Sequence, residues 1–456
     1  MPFTKLLLLI SIVLICNFTL SCKQKAATSA TTTEFVPTII PINISYSILP
    51  NAVATNWSSL IDDYYKNILS KNLNGQFLIA KNGVILYESY NGTERLNATT
   101  SQPMNEHSAL HLASVSKTFT AAAILLLQQQ GKLSIDDYVV KYLPTFPYPT
   151  ITIKMLLSHR AGLANYVHNL VNWGWHSTAL ATNTDVLNQL ATIKPPLNFA
   201  PDTKFNYCNT NYAMLALVIE KASGLPYPKF MYQQIFAPLQ MNDTYVFTLK
   251  DTATAIPSYD WRGNKIKWEN LDGVYGDKNI YSTVKDLYKW DQAWYSNALL
   301  TDATKALAFI PYSNEKPGIK NYGLGWRMLN FVNGKKIIFH NGWWHGNNNA
   351  FIRLLQDSAT IICLGNKYNK ANYGTMQMAY LFGDYPFEYE AEEGKDTAKN
   401  AEINSMLLLK LRADSMKLVK YNLYKKDSLQ LIKDSLKMLK PKRLKIENDT
   451  DKTTPY

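Results

Sequence analysis

Ala113-Ser114-Val115-Ser116-Lys117-Thr118-Phe119-Thr120 opens an Ala- and Leu-rich run that continues to Gln130 and stops at Gly131. That is the pattern of a helix closed by a glycine just past its end. Ser114 and Lys117, three residues apart, share one face of such a helix. A serine hydroxyl is a poor nucleophile at neutral pH and needs a base beside it. The helix N-terminus adds unpaired N–H groups that favour developing negative charge. Ser-x-x-Lys alone is a weak signal, since a capping serine followed by a solvated lysine gives the same letters. It recurs at Ser282 to Lys285 and at Ser313 to Lys316, but neither copy begins a long apolar helix.

On either side of this helix the patterning changes. Gln76 to Ala80 and Val84 to Tyr90 are β-rich runs joined by Lys81-Asn82-Gly83, a hairpin signal. Lys336 to His340, Ala350 to Leu355 and Thr360 to Leu364 read as strands near the other end. Between them the pattern is mostly helical, with helices expected from Asn211 to Ala222 and from Asp286 to Trp294. Strands at both ends predict a single sheet assembled where the chain ends meet, with a helical insertion: an α/β (α+β) fold.

Two further segments carry chemistry. Tyr207-Cys208-Asn209 stands 93 residues after Ser114, just before the second helix. Other Tyr-x-Asn triplets occur at Tyr65, Tyr295 and Tyr312, so position and flanks select the one at Tyr207. His340-Asn341-Gly342 follows the strand run Ile337-Ile338-Phe339. Taken alone, a His before Asn-Gly is a turn residue.

In this order the three segments resemble the motifs of the serine β-lactamase and penicillin-binding family, in its class C-like branch. Gly131-Lys132-Leu133-Ser134-Ile135-Asp136-Asp137, Leu156-Leu157-Ser158-His159 and Tyr322-Gly323-Leu324-Gly325-Trp326 match its scaffold, so the resemblance covers about residues 57 to 385. The departures are Cys208 for a Ser or Ala, His340 for the Lys usual in dedicated β-lactamases, and Asn341 for a Thr or Ser.

The resemblance implies a largely antiparallel sheet flanked by helices and a two-step acyl transfer without cofactor or metal. Ser114 would be the nucleophile, with Lys117 and Tyr207 sharing the proton work. Asn209 would bind the acyl side chain, while His340, Asn341 and Gly342 would form the third edge of the substrate site. The backbone N–H groups of Ser114 and Trp343 would make the oxyanion hole. Trp343, Trp344 and Asn347-Asn348-Asn349 would line the cleft rim, and His159 would be structural. Three activities fit: an exported hydrolase of esters, amides or D-amino-acid peptides, a true β-lactamase, or an inactive lipid-anchored scaffold. A His at position 340, mostly neutral near pH 7.5, favours the first over the second.

Composition bounds the rest. The 456 residues are 46% hydrophobic and 12% aromatic, enough for a sizeable core. Of the net charge of +12, a stretch from Ser405 to Ile446 holds +9, with twelve Lys and Arg against three Asp. The body is therefore nearly neutral, which argues against a nucleic-acid groove. Residues 1–21 read as a secretory signal, with Lys5 before an apolar run too short to span a bilayer. Thr19-Leu20-Ser21-Cys22 resembles a bacterial lipoprotein cleavage site, making Cys22 the expected lipid attachment point and the cell envelope the expected location. Residues 22–56 are expected to be the anchor and a flexible linker, and 386–456 a basic, helical tail.

Overall fold

The structure, a computed structural model, describes residues 37–176 and 178–386. The signal segment, Cys22 and the basic tail lie outside the described residues.

Seven of the ten described strands form one antiparallel sheet. They are β1 (Gly75–Lys81), β2 (Val84–Asn91), β6 (Lys320–Tyr322), β7 (Arg327–Asn330), β8 (Lys336–Trp344), β9 (Asn347–Leu354) and β10 (Ala359–Gly365), in the order β2-β1-β10-β9-β8-β7-β6. The chain ends meet where β1 pairs with β10, from Gly75 opposite Gly365 to Lys81 opposite Ala359. The expected hairpin closes through Asn82 and Gly83, at φ of 50° and 73°. Both values are positive, as a two-residue turn matched to the strand twist requires. Short strands β3 (Leu110–His111), β4 (Tyr245–Val246) and β5 (Ile280–Ser282) form a separate three-stranded sheet in the order β3-β5-β4.

The central strands are buried on both faces, and their period-2 alternation divides two apolar layers. Leu78, Phe351, Ile362 and Leu364 face a large core shared with the helices Ser116–Gln129 and Asn209–Ser223. Phe77, Ile79, Ile352, Ile361 and Cys363 face the opposite layer, covered by the helix Asn51–Tyr64 and by Met378 and Tyr385. The helix Val284–Tyr295 is tied to the sheet by Arg353, whose Nε donates to Asp291 at 2.5 Å in a fully buried pair. Thr360 donates to the other oxygen of the same carboxylate. Cys208 and Cys363 are buried free thiols.

The linker differs from its expectation. Residues 37–50 lie on the body: Ile40 donates its N–H to the Pro238 carbonyl, Ile40 and Ile42 pack on the large core, and Tyr46 donates to Gln292. The domain's first helix starts at Asn51, inside the stretch expected as tether. Ile40, Ile42, Ile44 and Leu49 supplied the apolar content that a composition reading of the Thr-rich part obscured.

Candidate active site

Ser114 sits in a tight turn, Ala113–Val115, that leads directly into the helix Ser116–Gln129. Ala113 holds a left-handed φ of 50°, unusual for a residue with a Cβ, and the chain bends there to present Ser114. Gly342 of β8 permits the third motif to close on this turn. A Cβ at 342 would stand 2.2 Å from the Leu112 carbonyl oxygen and 3.2 Å from the Ala113 Cβ. Only a glycine lets the strand come so near, which sets Trp343 beside the Ser114 turn. Asn349 secures the arrangement from β9, donating to the His111 carbonyl and accepting from the Gly365 N–H.

Lys117 is fully buried, and its Nζ lies 3.1 Å from Ser114 Oγ, 2.8 Å from Asn209 Oδ1 and 2.9 Å from the Asp277 carbonyl. The first two motifs therefore meet on one nitrogen. Asn209 is the first residue of its helix, two positions earlier than its expected start, which fixes its amide at the helix mouth. The Tyr207 ring lies 4.9 Å from Lys117 Nζ and 4.9 Å from the Arg327 guanidinium. The decoy motifs serve elsewhere: Ser282 bonds Thr244 in the core and Lys285 pairs with Glu88.

His340 is placed differently from a substrate contact. It is fully buried, with Nδ1 2.7 Å from the Asn341 carbonyl and Nε2 3.2 Å from the Tyr322 hydroxyl. A carbonyl only accepts, so Nδ1 carries the proton and Nε2 accepts from Tyr322. His159 completes the logic. Its Nδ1 accepts from the Cys208 N–H and from Asn211, so its Nε2 donates to Tyr322, 3.2 Å away. The chain runs from His159 N–H to Tyr322 oxygen and from Tyr322 O–H to His340, with each imidazole neutral. Burial, with the nearby Lys117 and Arg327 charges, pushes both histidines well below the usual imidazole range. His159 thus links the second motif to the third.

The rim also departs from expectation. Trp343 is 65% exposed, whereas Trp344 turns inward and donates to Asp272. Asn347, Asn348 and Asn349 are all buried, and the last two hold backbone in place. The residue that sequence reasoning missed is Arg327. It is half-buried, its guanidinium makes no ion pair or hydrogen bond among the described residues, and it immediately follows the scaffold segment ending at Trp326. On β8, the Asn341 Oδ1 is buried without a partner.

A scan against protein families matches residues 64–374 to the Beta-lactamase family. Penicillin-binding protein 4* of Bacillus subtilis is 34% identical over 321 residues, spanning 66% of this chain and 69% of that protein. Among solved structures, a penicillin binding protein from Bacillus halodurans superposes with a TM-score of 0.61 at 23% identity, over 73% of this chain and all of that one. The D-amino acid amidase of Ochrobactrum anthropi SV3 does so with a TM-score of 0.54 at 21% identity, over 69% of this chain and 91% of that one. With the Ser114 turn, Lys117 and Tyr-x-Asn meeting beside the Gly342 strand, and with the family match covering most of the described residues, the chain belongs to the Beta-lactamase family of serine hydrolases.

Proposed function

We propose that the chain is an exported serine hydrolase that cleaves amide or ester bonds whose leaving group ends in a free carboxylate, as at the C-terminus of a D-amino-acid peptide. The observation that carries this reading is the unpaired Arg327 guanidinium, held over the Tyr207 ring within the same cluster as Ser114 and Lys117. His340, buried and neutral, does not supply the cation that a lysine would. Arg327 does, as a guanidinium with its donors unspent. The names of the relatives, a penicillin-binding protein and a D-amino acid amidase, are consistent with such substrates.

In this reading the deprotonated member of the Lys117–Tyr207 pair, amine or phenolate, takes the Ser114 Oγ proton as Oγ attacks the carbonyl carbon. The amides of Ser114 and Trp343 hold the oxyanion, and the leaving group departs with a proton returned from the same pair. Asn209, oriented by Lys117, has its Nδ2 left over to bond the acyl side. Water then attacks the Ser114 ester and regenerates the hydroxyl. Cys22 would tether the enzyme to the membrane on the outer side of the cell.

The test is kinetic. Wild type, Ser114→Ala and Arg327→Gln are assayed on a peptide ending in D-Ala-D-Ala, its C-terminal amide, a cephalosporin and a neutral p-nitrophenyl ester. Ser114→Ala should lose all turnover and fluorophosphonate labelling while keeping its melting temperature. Losing one charge-assisted contact of about 1.5–3 kcal/mol predicts a drop of roughly 10- to 100-fold in kcat/KM for the free acid. The amide and the ester should be nearly unaffected. A uniform drop across all four substrates would refute the Arg327 assignment. Cephalosporin turnover above that of the peptide would favour a true β-lactamase, and an unlabelled wild type would favour the scaffold reading.

A further inference from the structure

A cavity of about 170 Å³ lies past the oxyanion end of β8, between Trp344, His345 and the segment running from Thr252 to Trp268. A second cavity of the same volume shares Arg95, Pro257 and Lys265 with it. The first is large enough for the side chain and backbone amide of one amino-acid residue. Part of its polar equipment is uncommitted. Asn347 is 3% exposed, and its Nδ2 donates to the Trp344 carbonyl, yet its Oδ1 has no partner. A buried acceptor left unpaired is unfavourable, and a bound donor would relieve it. Ser258, 8% exposed, makes no side-chain hydrogen bond among the described residues.

Two cations on the wall are free of carboxylates: the Arg95 guanidinium donates to the carbonyls of Ala253 and Thr254, and Lys265 pairs with no described carboxylate, while Asp272 behind the wall is held by His345 and Trp344. The Trp268 ring forms an apolar side. The cavity is also near the reacting atoms. His111 lines it, and three residues of chain place its Cα no more than about 11 Å from that of Ser114. Trp344 on the opposite wall directly follows Trp343.

We propose that this cavity is a subsite for the acyl side of the substrate, holding an acidic amino-acid residue. The residue's amide N–H would donate to Asn347 Oδ1, and its carboxylate would accept from Arg95, Lys265 and Ser258. The inference rests on Ser114 being the nucleophile, and one arm of the test is independent of that.

In the first arm, full-length Ser114→Ala protein is titrated calorimetrically with N-acetyl-D-glutamate and with N-acetyl-D-glutamine, which keeps the N–H and removes the charge. The acid should bind at least about tenfold more tightly, and the preference should vanish in an added R95Q/K265Q pair. Equal affinities, or a preference that survives the double substitution, would overturn the site. In the second arm, wild type and R95Q/K265Q hydrolyse two peptides with the same scissile bond, carrying Glu or Gln on the acyl side. A preference of about tenfold or more in kcat/KM for Glu, lost in the double variant, supports the subsite. Binding in the first arm without a kinetic preference would make the cavity an independent anion site and overturn the subsite assignment. If neither peptide is hydrolysed, the hydrolase reading fails, and the first arm still decides the cavity.

Discussion

Replacing Tyr322 with Phe removes one oxygen that serves two fully buried histidines. The ring and its packing remain, so the change isolates the hydrogen bonds. His159 Nε2–H loses its acceptor and His340 Nε2 loses its donor, both in residues with no exposure. Each stranded polar atom costs about 1–3 kcal/mol, so the variant should be destabilised by roughly 2–6 kcal/mol. Urea unfolding followed by tryptophan fluorescence at pH 7.5 measures this directly, with an unchanged slope showing that the denatured state is unaltered. The same chain predicts an acid response in the wild type. Protonated, both imidazoles would aim N–H groups at one hydroxyl oxygen, so folding holds both neutral. Their folded-state values lie below the unfolded value of about 6.5, and burial likewise pushes His111 down to about 4. For groups shifted down in this way the unfolded state binds more protons as pH falls. Stability is therefore complete above about pH 6.5 and is lost below it, by about 1.4 kcal/mol per histidine at pH 5.5. A Tyr322→Phe cost under about 1 kcal/mol, or a wild-type stability that does not change between pH 7.5 and 5.5, would refute the donor and acceptor order assigned here.

Gly342→Ala should abolish turnover and lower the melting temperature by several degrees, because the new Cβ would overlap the Leu112 carbonyl and both partners are backbone. Esterase assay and differential scanning calorimetry check this, and near-normal activity would mean the strand does not close on the nucleophile turn. For the N-terminus, Cys22→Ala should move the protein from the membrane fraction to the soluble one. Continued membrane attachment would point to an uncleaved signal or to the basic stretch from Ser405 to Ile446.

Much of this molecule follows from short-range pattern. The apolar runs that became β1, β8, β9 and β10, the Asn82-Gly83 turn, and the helix opening at the nucleophile are all set by neighbours a few residues apart. Backbone geometry and side-chain periodicity act at that range. The three motifs were legible for the same reason, each being a local segment with its own turn or helix start. What joins them was not legible. Whether Lys117 reaches Asn209, 92 residues away, or His159 reaches Tyr322, 163 residues away, depends on how the layers stack. Asn347 to Asn349 were expected along the cleft rim, yet all three are buried, and Asn348 and Asn349 are held in a hydrogen-bond framework. His340 read as a group offered to substrate, and packing closed it off. Arg327 carried no local signal, because a guanidinium acquires meaning only from what fails to pair with it. Local sequence determined the elements and the reactive groups, while tertiary packing alone decided which polar atoms are spent on each other and which remain for a ligand.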